Sequence, residues 1–448
     1  MVLNEFEKSV VLRIAEAVGK KNGKVYFVGG CVRDKLMGRE SKDIDIEIHG
    51  IDIVSLEEIL DGIGEKLEFG KSFGVYNIKG CTIDIALPRK ESCIGNKHTD
   101  FKIDVDPFLG TYKAAQRRDF TVNAIMEDVI SGEIIDHFNG LSDLENKIIR
   151  HIDDITFVED PLRVLRAAQF ASRFNFEIAQ ETKRLCNTMD LSSLSHERVF
   201  EELKKALLQS DKPSVFFEIL KSINQLGVWF AQVSKLIEVP QNPEHHQEGD
   251  VFVHTMMVLD QAAKRRNEAK NQLGFMLAAL THDFGKITAT RFENGKLHSH
   301  NHENQGIPIV EEFLKNLTGE KNLMRYVLNM TELHMKPHML AASNSSVKAT
   351  NKMFDSSVEP NDLILLSIAD GLGKIPAKDS ADSEQFLLER LEIYREYMSR
   401  PFVEGSDLIK AGLKPGPQFS KLLDYAHKLR LAGIEKESAL KQTLAYKE

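Results

Sequence analysis

The chain has 448 residues, 42% of them hydrophobic and 28% charged, with a formal net charge of −9. That length divides into two to four domains rather than building one core, and the composition is that of an ordinary globular protein. No apolar run approaches the ~20 residues that span a bilayer, and the acidic balance excludes broad, non-specific nucleic-acid binding while permitting a shaped basic groove.

The N-terminal MVLNEFEKSVVLRIAEAV has helical spacing and lacks a signal-peptide core. Cys31, Cys81, Cys93 and Cys186 form no C-x-x-C pair, so a reducing cytoplasm is the expected compartment. Val25–Val28 reads as a buried strand, and Gly29-Gly30 lets the backbone turn sharply and approach a ligand. CVRDKLMG then reads as a short helix ended by Gly38, with its N-terminal N–H groups toward the turn. Lys42–Ile48 alternates charged and apolar residues, which puts Asp43 and Asp45 on one strand face and Ile44 and Ile46 on the other. Two neighbouring carboxylates repel unless a cation lies between them, and hard oxygen donors suit Mg²⁺. The glycine turn, Arg33 and the D-x-D pair together resemble the signature of DNA polymerase β-like nucleotidyltransferases, specifically class II tRNA nucleotidyltransferases and bacterial poly(A) polymerases.

Further strands are expected at Val75–Ile78 and Thr82–Leu87, where Asp84 projects between buried Ile83 and Ile85 and is a candidate third carboxylate. Two metal ions on such a cluster would activate a 3′-hydroxyl and stabilise leaving pyrophosphate. Arg117-Arg118-Asp119-Phe120-Thr121-Val122-Asn123 resembles the family's RRDFTxNA motif. The arginines offer forked donors to a triphosphate; Asp119 would orient one of them or take a ribose hydroxyl, and Asn123 would read the sugar. Family members that add A alone or CC alone differ in a loop between the two motif groups, an interval that here includes Glu91–Gly110 with Lys97, His98, Lys102 and Pro107 and in which the loop is not assigned.

From about Asp136 the pattern turns helical, with candidates at Leu162–Phe174, Glu197–Leu208, Ser214–Ile223, Val251–Ala263, Leu273–Thr281, Ile309–Leu317 and Leu363–Ala369. Asp160 caps the first of these ahead of Pro161, and Arg163 lies three residues on, sharing its face. Cytosine presents its amine beside N3 and adenine its amine beside N1, whereas uracil and guanine reverse that order. An acceptor–donor pair from Asp160 and Arg163 would therefore admit C and A without a template, which is also what the resemblance implies for EDxxR. His196–Glu202 resembles the helical ERxxxE element that supports the base-reading helix. Lys204, Lys205, Lys221 and the segment KLRLAGIEK are candidates for phosphate contacts with RNA, with solvated surface lysines as the plainer reading.

Nine of the fifteen histidines fall between His245 and His338. His254 on an amphipathic helix, His282-Asp283 after LGFMLAALT, and Asp370 after LILLSIA give an H…HD…D order that places imidazoles and carboxylates from separate helices on one metal centre. The order resembles the HD phosphohydrolases, which act on phosphate esters with divalent metals; Ni, Mn, Fe or Co is the expected class. His302 and His334 would extend the set to a second metal, whereas His245, His246, His298, His300 and His338 read as loop residues.

The whole pattern resembles the bacterial multifunctional CCA-adding enzymes. The fold class it implies is α+β: a polymerase β-like sheet-and-helix head followed by an all-helical body with an HD domain. The expected divisions are 1–135 (head), 136–240 (nucleotide-selecting and tRNA-binding neck), 241–385 (HD) and 386–448 (C-terminal helices). The implied activity is untemplated CCA addition to the tRNA acceptor end from CTP and ATP, with HD-dependent removal of terminal phosphates. The alternatives are an A-adding or CC-adding enzyme, a poly(A) polymerase (although LKQTLAYKE lacks that class's basic tail), or, in another class, an HD phosphohydrolase. No membrane partner is expected, and oligomeric state is unreadable.

Overall fold

The computed structural model describes residues 3–41, 43–68, 75–93, 101–244, 246–377 and 381–446. Among the described residues nine strands precede the helical body: β1 (Lys24–Val28), β2 (Ile44–His49), β3 (Lys66–Glu68), β4 (Val75–Ile78), β5 (Ile83–Ala86), β6 (Arg89–Cys93), β7 (Phe101–Val105), β8 (Met126–Asp128) and β9 (Ile134–Ile135). Seven of them form one sheet in the order β3-β4-β5-β2-β1-β8-β9, while β6 and β7 pair separately. The central strands are β-branched on one face, and Ile44, Ile46, Ile48, Ile83 and Ile85 bury there with Ile14 and Val18 of the Glu5–Lys20 helix and Leu56 and Leu60 of the Ile53–Asp61 helix. Residues of the opposite parity on β2 therefore face the other way.

Short pairs interrupt the helical region: β10 (Ile148–Ile149) lies parallel to β11 (Glu177–Ile178), and β12 (Arg291–Glu293) forms a hairpin with β13 (Lys296–His298). The expected helices are present with ends shifted by a few residues, among them Leu162–Phe174, His196–Gln209, Val251–Arg265, Gln272–Thr281 and Pro360–Leu372. Among the described residues no helix is long and apolar enough to cross a membrane.

Two compact units result, Met1–Glu202 with Val215–Trp229 and Leu203–Ser214 with Phe230–Glu448. The expected division after residue 135 falls inside the first unit, and a buried polar network explains why. Asp119 accepts from its neighbour Phe120 N (2.8 Å) and from Asn123 Nδ2 (2.9 Å) on one oxygen, and from Arg166 Nε and Nη2 (2.8 and 2.6 Å) on the other. Asn123 in turn accepts from Arg33 Nη1 at 2.5 Å, and Arg33 also pairs with Asp34 at 2.6 Å. Arg33 thus ties the turn after β1, through Asn123 and Asp119, to the Leu162–Phe174 helix, while Phe120 packs edge-on against Phe157 and Phe170. The later expected divisions fall inside the second unit.

Burial would raise the Asp119 carboxyl, but Arg166 and Asn123 hold it below its ordinary value. A depressed carboxylate contributes stability above its unfolded pKa and loses it as pH falls through the folded one. Arg166→Met should therefore cost about 3–5 kcal/mol at pH 7 by leaving a buried charge without its cation. In urea denaturation that difference should shrink as the pH drops below the normal carboxylate range.

Candidate active sites

The first site forms where β1 ends against β2 and β5. Register pairs Val28 with Asp45 across the antiparallel β1–β2 ladder and Asp45 with Asp84 across the parallel β2–β5 ladder. Asp45 and Asp84 therefore share a face, and Asp43, immediately before β2, stands exposed at its edge. Burial pushes the Asp45 carboxyl up, Arg118 opposes this, and the negative charges of Asp84 and Asp43 push it further up. Three carboxylates in mutual repulsion are a donor set that a hard divalent cation would relieve, so the residues fit the expected metal.

Gly29 turns the chain at φ +73°, a region open to glycine, and a side chain there would press on Arg118 Nη1 at 2.9 Å. Arg118 thus fills the space that this glycine leaves, beside Asp45. A cavity of about 300 Å³ is lined by Asp45, Glu47, Asp84, Arg89, Arg117 and Arg118. Arg117 donates through Nη1 to the Arg89 carbonyl. Glu47 and His49 were not anticipated. Glu47 continues the D-x-D alternation, accepts from His49 (2.8 Å) and lies 3.6 Å from Arg118; despite its burial, His49 and Arg118 hold it below the usual carboxylate range.

Four residues expected to contact ligand are bonded within the chain. Arg33 is 3% exposed, Asn123 6% and Asp119 8%, and their polar atoms satisfy one another. They brace the turn, while Arg117 and Arg118 line the cavity. Arg163 is likewise engaged, donating to the carbonyls of Thr156 (2.6 Å) and Arg117 (3.0 Å). Asp160 caps Leu162 N at 3.1 Å, as the sequence predicts, but its second oxygen meets Arg198 Nη2 at 2.8 Å. Asp160 is thus paired with Arg198, the arginine of the ERxxxE element. Arg166, also unanticipated, runs from Asp119 to within 3.8 Å of Glu202 in that same element.

The second site gathers side chains from helices far apart in sequence. His254 comes from the Val251–Arg265 helix, His282 and Asp283 from the end of Gln272–Thr281, and Asp370 from Pro360–Leu372. His302 opens the short helix His302–Gln305, and His334 follows Lys321–Leu333. Gly285 permits this convergence, because any side chain there would collide with the His302 carbonyl and Gly306 N. His254 Nε2 lies 3.2 Å from Asp370 Oδ1 and 3.5 Å from Asp283 Oδ2, which is also 3.3 Å from His282 Nε2. The other Asp283 oxygen faces His302 Nε2 at 3.2 Å and His334 Nε2 at 3.9 Å. One carboxylate thus stands between two candidate metal positions.

Each of the four imidazoles is held through Nδ1: His254 by Glu248 (3.1 Å) and the Gly373 carbonyl, and His282, His302 and His334 by the carbonyls of Ala279, Ser299 and Thr331. That arrangement fixes the tautomer that offers Nε2 to a metal. His254 Nε2 and His282 Nε2 are buried with no hydrogen-bond partner, which fits a missing ligand. Burial would raise Asp283 and Asp370, but Lys286 with His282 and Lys374 with His254 hold them well below the carboxylate range. Burial beside His282 and His302 pushes His334 down to about 3, so it stays neutral.

His338 and His298 lie on regular elements rather than loops: His338 on the Met335–Ala342 helix, 3.4 Å from Asp370, and His298 at the end of β13. Glu248 was missed because the connector Gln241–Gly249 carries no periodic pattern. Its side chain is 0% exposed and accepts from His246 and His254, while Ile375 N–H donates to its other oxygen at 2.8 Å. Despite its burial, those bonds hold it at about 2. Lys42, Lys97, His98 and His245, named from the sequence, lie outside the described residues, as does the Lys102 side chain.

Residues 25–150 match the Poly A polymerase head domain and residues 251–374 the HD domain. Over 325 residues the chain is 36% identical to the multifunctional CCA protein of Actinobacillus pleuropneumoniae serotype 5b (strain L20), spanning 71% of this chain and 77% of that one. It is 33% identical over 430 residues to the multifunctional CCA protein of Xanthomonas campestris pv. campestris (strain B100), 94% of this chain and 100% of the relative. In fold it is similar to the Thermotoga maritima CCA-adding enzyme complexed with tRNA, with a TM-score of 0.64 at 20% identity, over 99% of this chain and 96% of that one.

Glu248→Gln removes the carboxylate that orients His254. Competition with a coloured chelator should show divalent-metal affinity falling roughly 10–100-fold, with unchanged circular dichroism; unchanged affinity would show that the Gly373 carbonyl alone suffices.

Proposed function

The chain belongs to the multifunctional CCA protein family, and on that premise we propose that it adds C, C and A to tRNA 3′ ends from CTP and ATP without a nucleic-acid template. The observation that carries this reading is the register of Asp45 with Asp84, with Asp43 at its edge and Arg118 over Gly29. In each addition the 3′-hydroxyl oxygen bonds to the α-phosphorus, the bond to the β-phosphate breaks, and pyrophosphate leaves. Asp43, Asp45 and Asp84 would hold Mg²⁺, for which an all-oxygen donor set is suited. Bound there, the metal supplies activation of the hydroxyl and charge neutralisation on the leaving group.

Arg117 and Arg118 bind the triphosphate, with Glu47 and His49 fixing Arg118 and the Arg33–Asn123–Asp119 network bracing the turn. Base choice rests on Asp160 and Arg163, which are held at the start of the base-reading helix by the bond of Arg198 to Asp160 and by those of Arg163 to the Thr156 and Arg117 carbonyls. A base carrying an amine beside a ring acceptor matches that pair; uracil and guanine would set donor against donor and acceptor against acceptor.

A second reaction is favoured by the histidine–aspartate site. Its mixed imidazole and carboxylate donors suit Mn, Fe, Co or Ni. We propose hydrolysis of a terminal or 2′,3′-cyclic phosphate that would block the hydroxyl nucleophile: water adds to phosphorus, one P–O bond to ribose breaks, and the ribose oxygen takes a proton. Lys286 and Lys374, beside Asp283 (2.8 Å) and Asp370 (3.1 Å), offer cations to the phosphate oxygens. A bound metal pair supplies Lewis-acid polarisation of the ester.

Transcripts ending before CCA, after C and after CC, each given CTP, ATP, both, or UTP and GTP, test the first reaction. All three should grow to one fixed CCA end and ignore UTP and GTP; growth of only the CC-ended transcript, or only as far as CC, would overturn full CCA addition. Asp45→Asn should slow every addition on the order of 100-fold or more, the loss expected when several kcal/mol of charge stabilisation go. Arg198→Met should instead raise UTP misincorporation while leaving the phosphate contacts intact.

A further inference from the structure

The hydrolytic cavity is larger than a phosphate needs. It encloses about 450 Å³, within the range of sites that hold whole small molecules. Its lining includes buried Asp283 and Asp370 with Lys286 and Lys374, the residues assigned above to the metal and the phosphate, and also half-buried His298 and exposed His300. Those two rings lie parallel, 4.9 Å between centroids and 14° between planes. Neither is needed for the metal set, whose four histidines are already placed.

The hairpin fixes this stack relative to the metal ligands. The Asn294-Gly295 turn, with both residues at positive φ, closes β12 on β13 and leads straight into residues 298–302. Thr290 Oγ1 and Ser299 Oγ are 2.9 Å apart across the base of the hairpin. The carbonyl of Ser299, the residue between the two rings, accepts from Nδ1 of His302 at 2.8 Å. The ring stack and a metal-ligating imidazole therefore belong to one braced segment. The pair also borders a second cavity of about 200 Å³, so it stands as a thin wall instead of packing into a core.

We propose that His298 and His300 form a nucleobase-stacking subsite, so that the second site takes a ribonucleotide phosphoester with its base on the imidazole wall and its phosphate toward Asp283 and Asp370. Flat rings of this kind hold any base by its π-face, with a preference for larger rings and little reading of sequence. The subsite rests on the phosphoester-hydrolysis reading given above. It makes the reaction one on a nucleotide end, which a phosphate group alone would not define.

The test uses the full chain loaded with Ni²⁺ and two cyclic esters, adenosine 2′,3′-cyclic phosphate and glycerol cyclic phosphate, the second having the ester but no base. His298→Ala with His300→Ala should lower the ratio of kcat/KM for the adenosine ester to that for the glycerol ester roughly tenfold, through KM, the size expected for one lost base stack. The pair His298→Phe and His300→Phe, which keeps two flat faces, should restore the ratio. Bound Ni²⁺, counted by elemental analysis, should be the same in all three proteins. An unchanged ratio, a failure of the phenylalanine pair to restore it, or loss of Ni²⁺ from the alanine pair would overturn the subsite. Wild-type protein that cleaves neither ester would overturn the hydrolysis reading itself, an outcome distinct from the other three.

Discussion

The first site depends on a carboxylate that never reaches it. Asp119 is buried, and it stays charged because Arg166 clamps one oxygen while Asn123 and a backbone N–H take the other. Through Asn123 this bond reaches Arg33 at the glycine turn; through Arg166 it reaches the helix whose first turn holds Asp160 and Arg163. The glycine turn and the start of the Leu162–Phe174 helix are thereby referred to one buried ion. Motif residues of the RRDFTVN segment thus divide their labour: the arginines meet the cavity and the aspartate and asparagine hold the frame. A buried, fully bonded network of this kind specifies geometry more than it adds stability.

The two sites solve the same problem, crowded negative charge, with different donors. At the end of β1 the carboxylates lie on a sheet face, two of them exposed, with one arginine beside them. In the helical unit the carboxylates are buried, each beside a lysine, and imidazoles fill the rest of the shell. Backbone carbonyls and one carboxylate hold every Nδ1, so the choice of coordinating nitrogen is made by the fold before any ion arrives. Oxygen-only and nitrogen-rich donor sets suit different ions, so the two sites differ in chemistry before any ion binds.

Much of this was legible in the amino-acid order. Period-two alternation in Asp43–Ile48 and the isolated Asp84 between isoleucines put the carboxylates on the correct face, because strand geometry leaves no other choice. The H…HD…D order likewise located the second centre. What could not be read were partners set by tertiary packing. Arg163 and Asp160 share a helix face, so they look like a pair; the fold gives Asp160 to Arg198, thirty-eight residues on, and turns Arg163 onto carbonyls. Arg33 looked like a phosphate ligand because Phe170 and Phe174, which cover it, cannot be foreseen from its own segment. Glu47 extended the same alternation that revealed Asp45 and was legible in principle, as was the Asn-Gly turn that announces the β12–β13 hairpin. Glu248 gave no signal at all, since a connector has no period to betray which residue it buries.

Asp283 turns one oxygen to each of two candidate metal positions, and this would tie their occupancies together. An ion entering beside His282 withdraws electron density from a carboxylate that the position beside His302 and His334 must also use. It also fixes the carboxylate plane that the other ion needs. The first effect weakens the remaining donor and the second removes an entropic cost, so the filling of one position is felt at the other whichever dominates. Loading is then a property of the pair, and a half-filled centre is a chemically different object from either the empty or the complete one. At limiting metal supply such a centre would load along a curve that is not a simple hyperbola, while the oxygen-lined site, with no such bridge to imidazole, would follow its own ion.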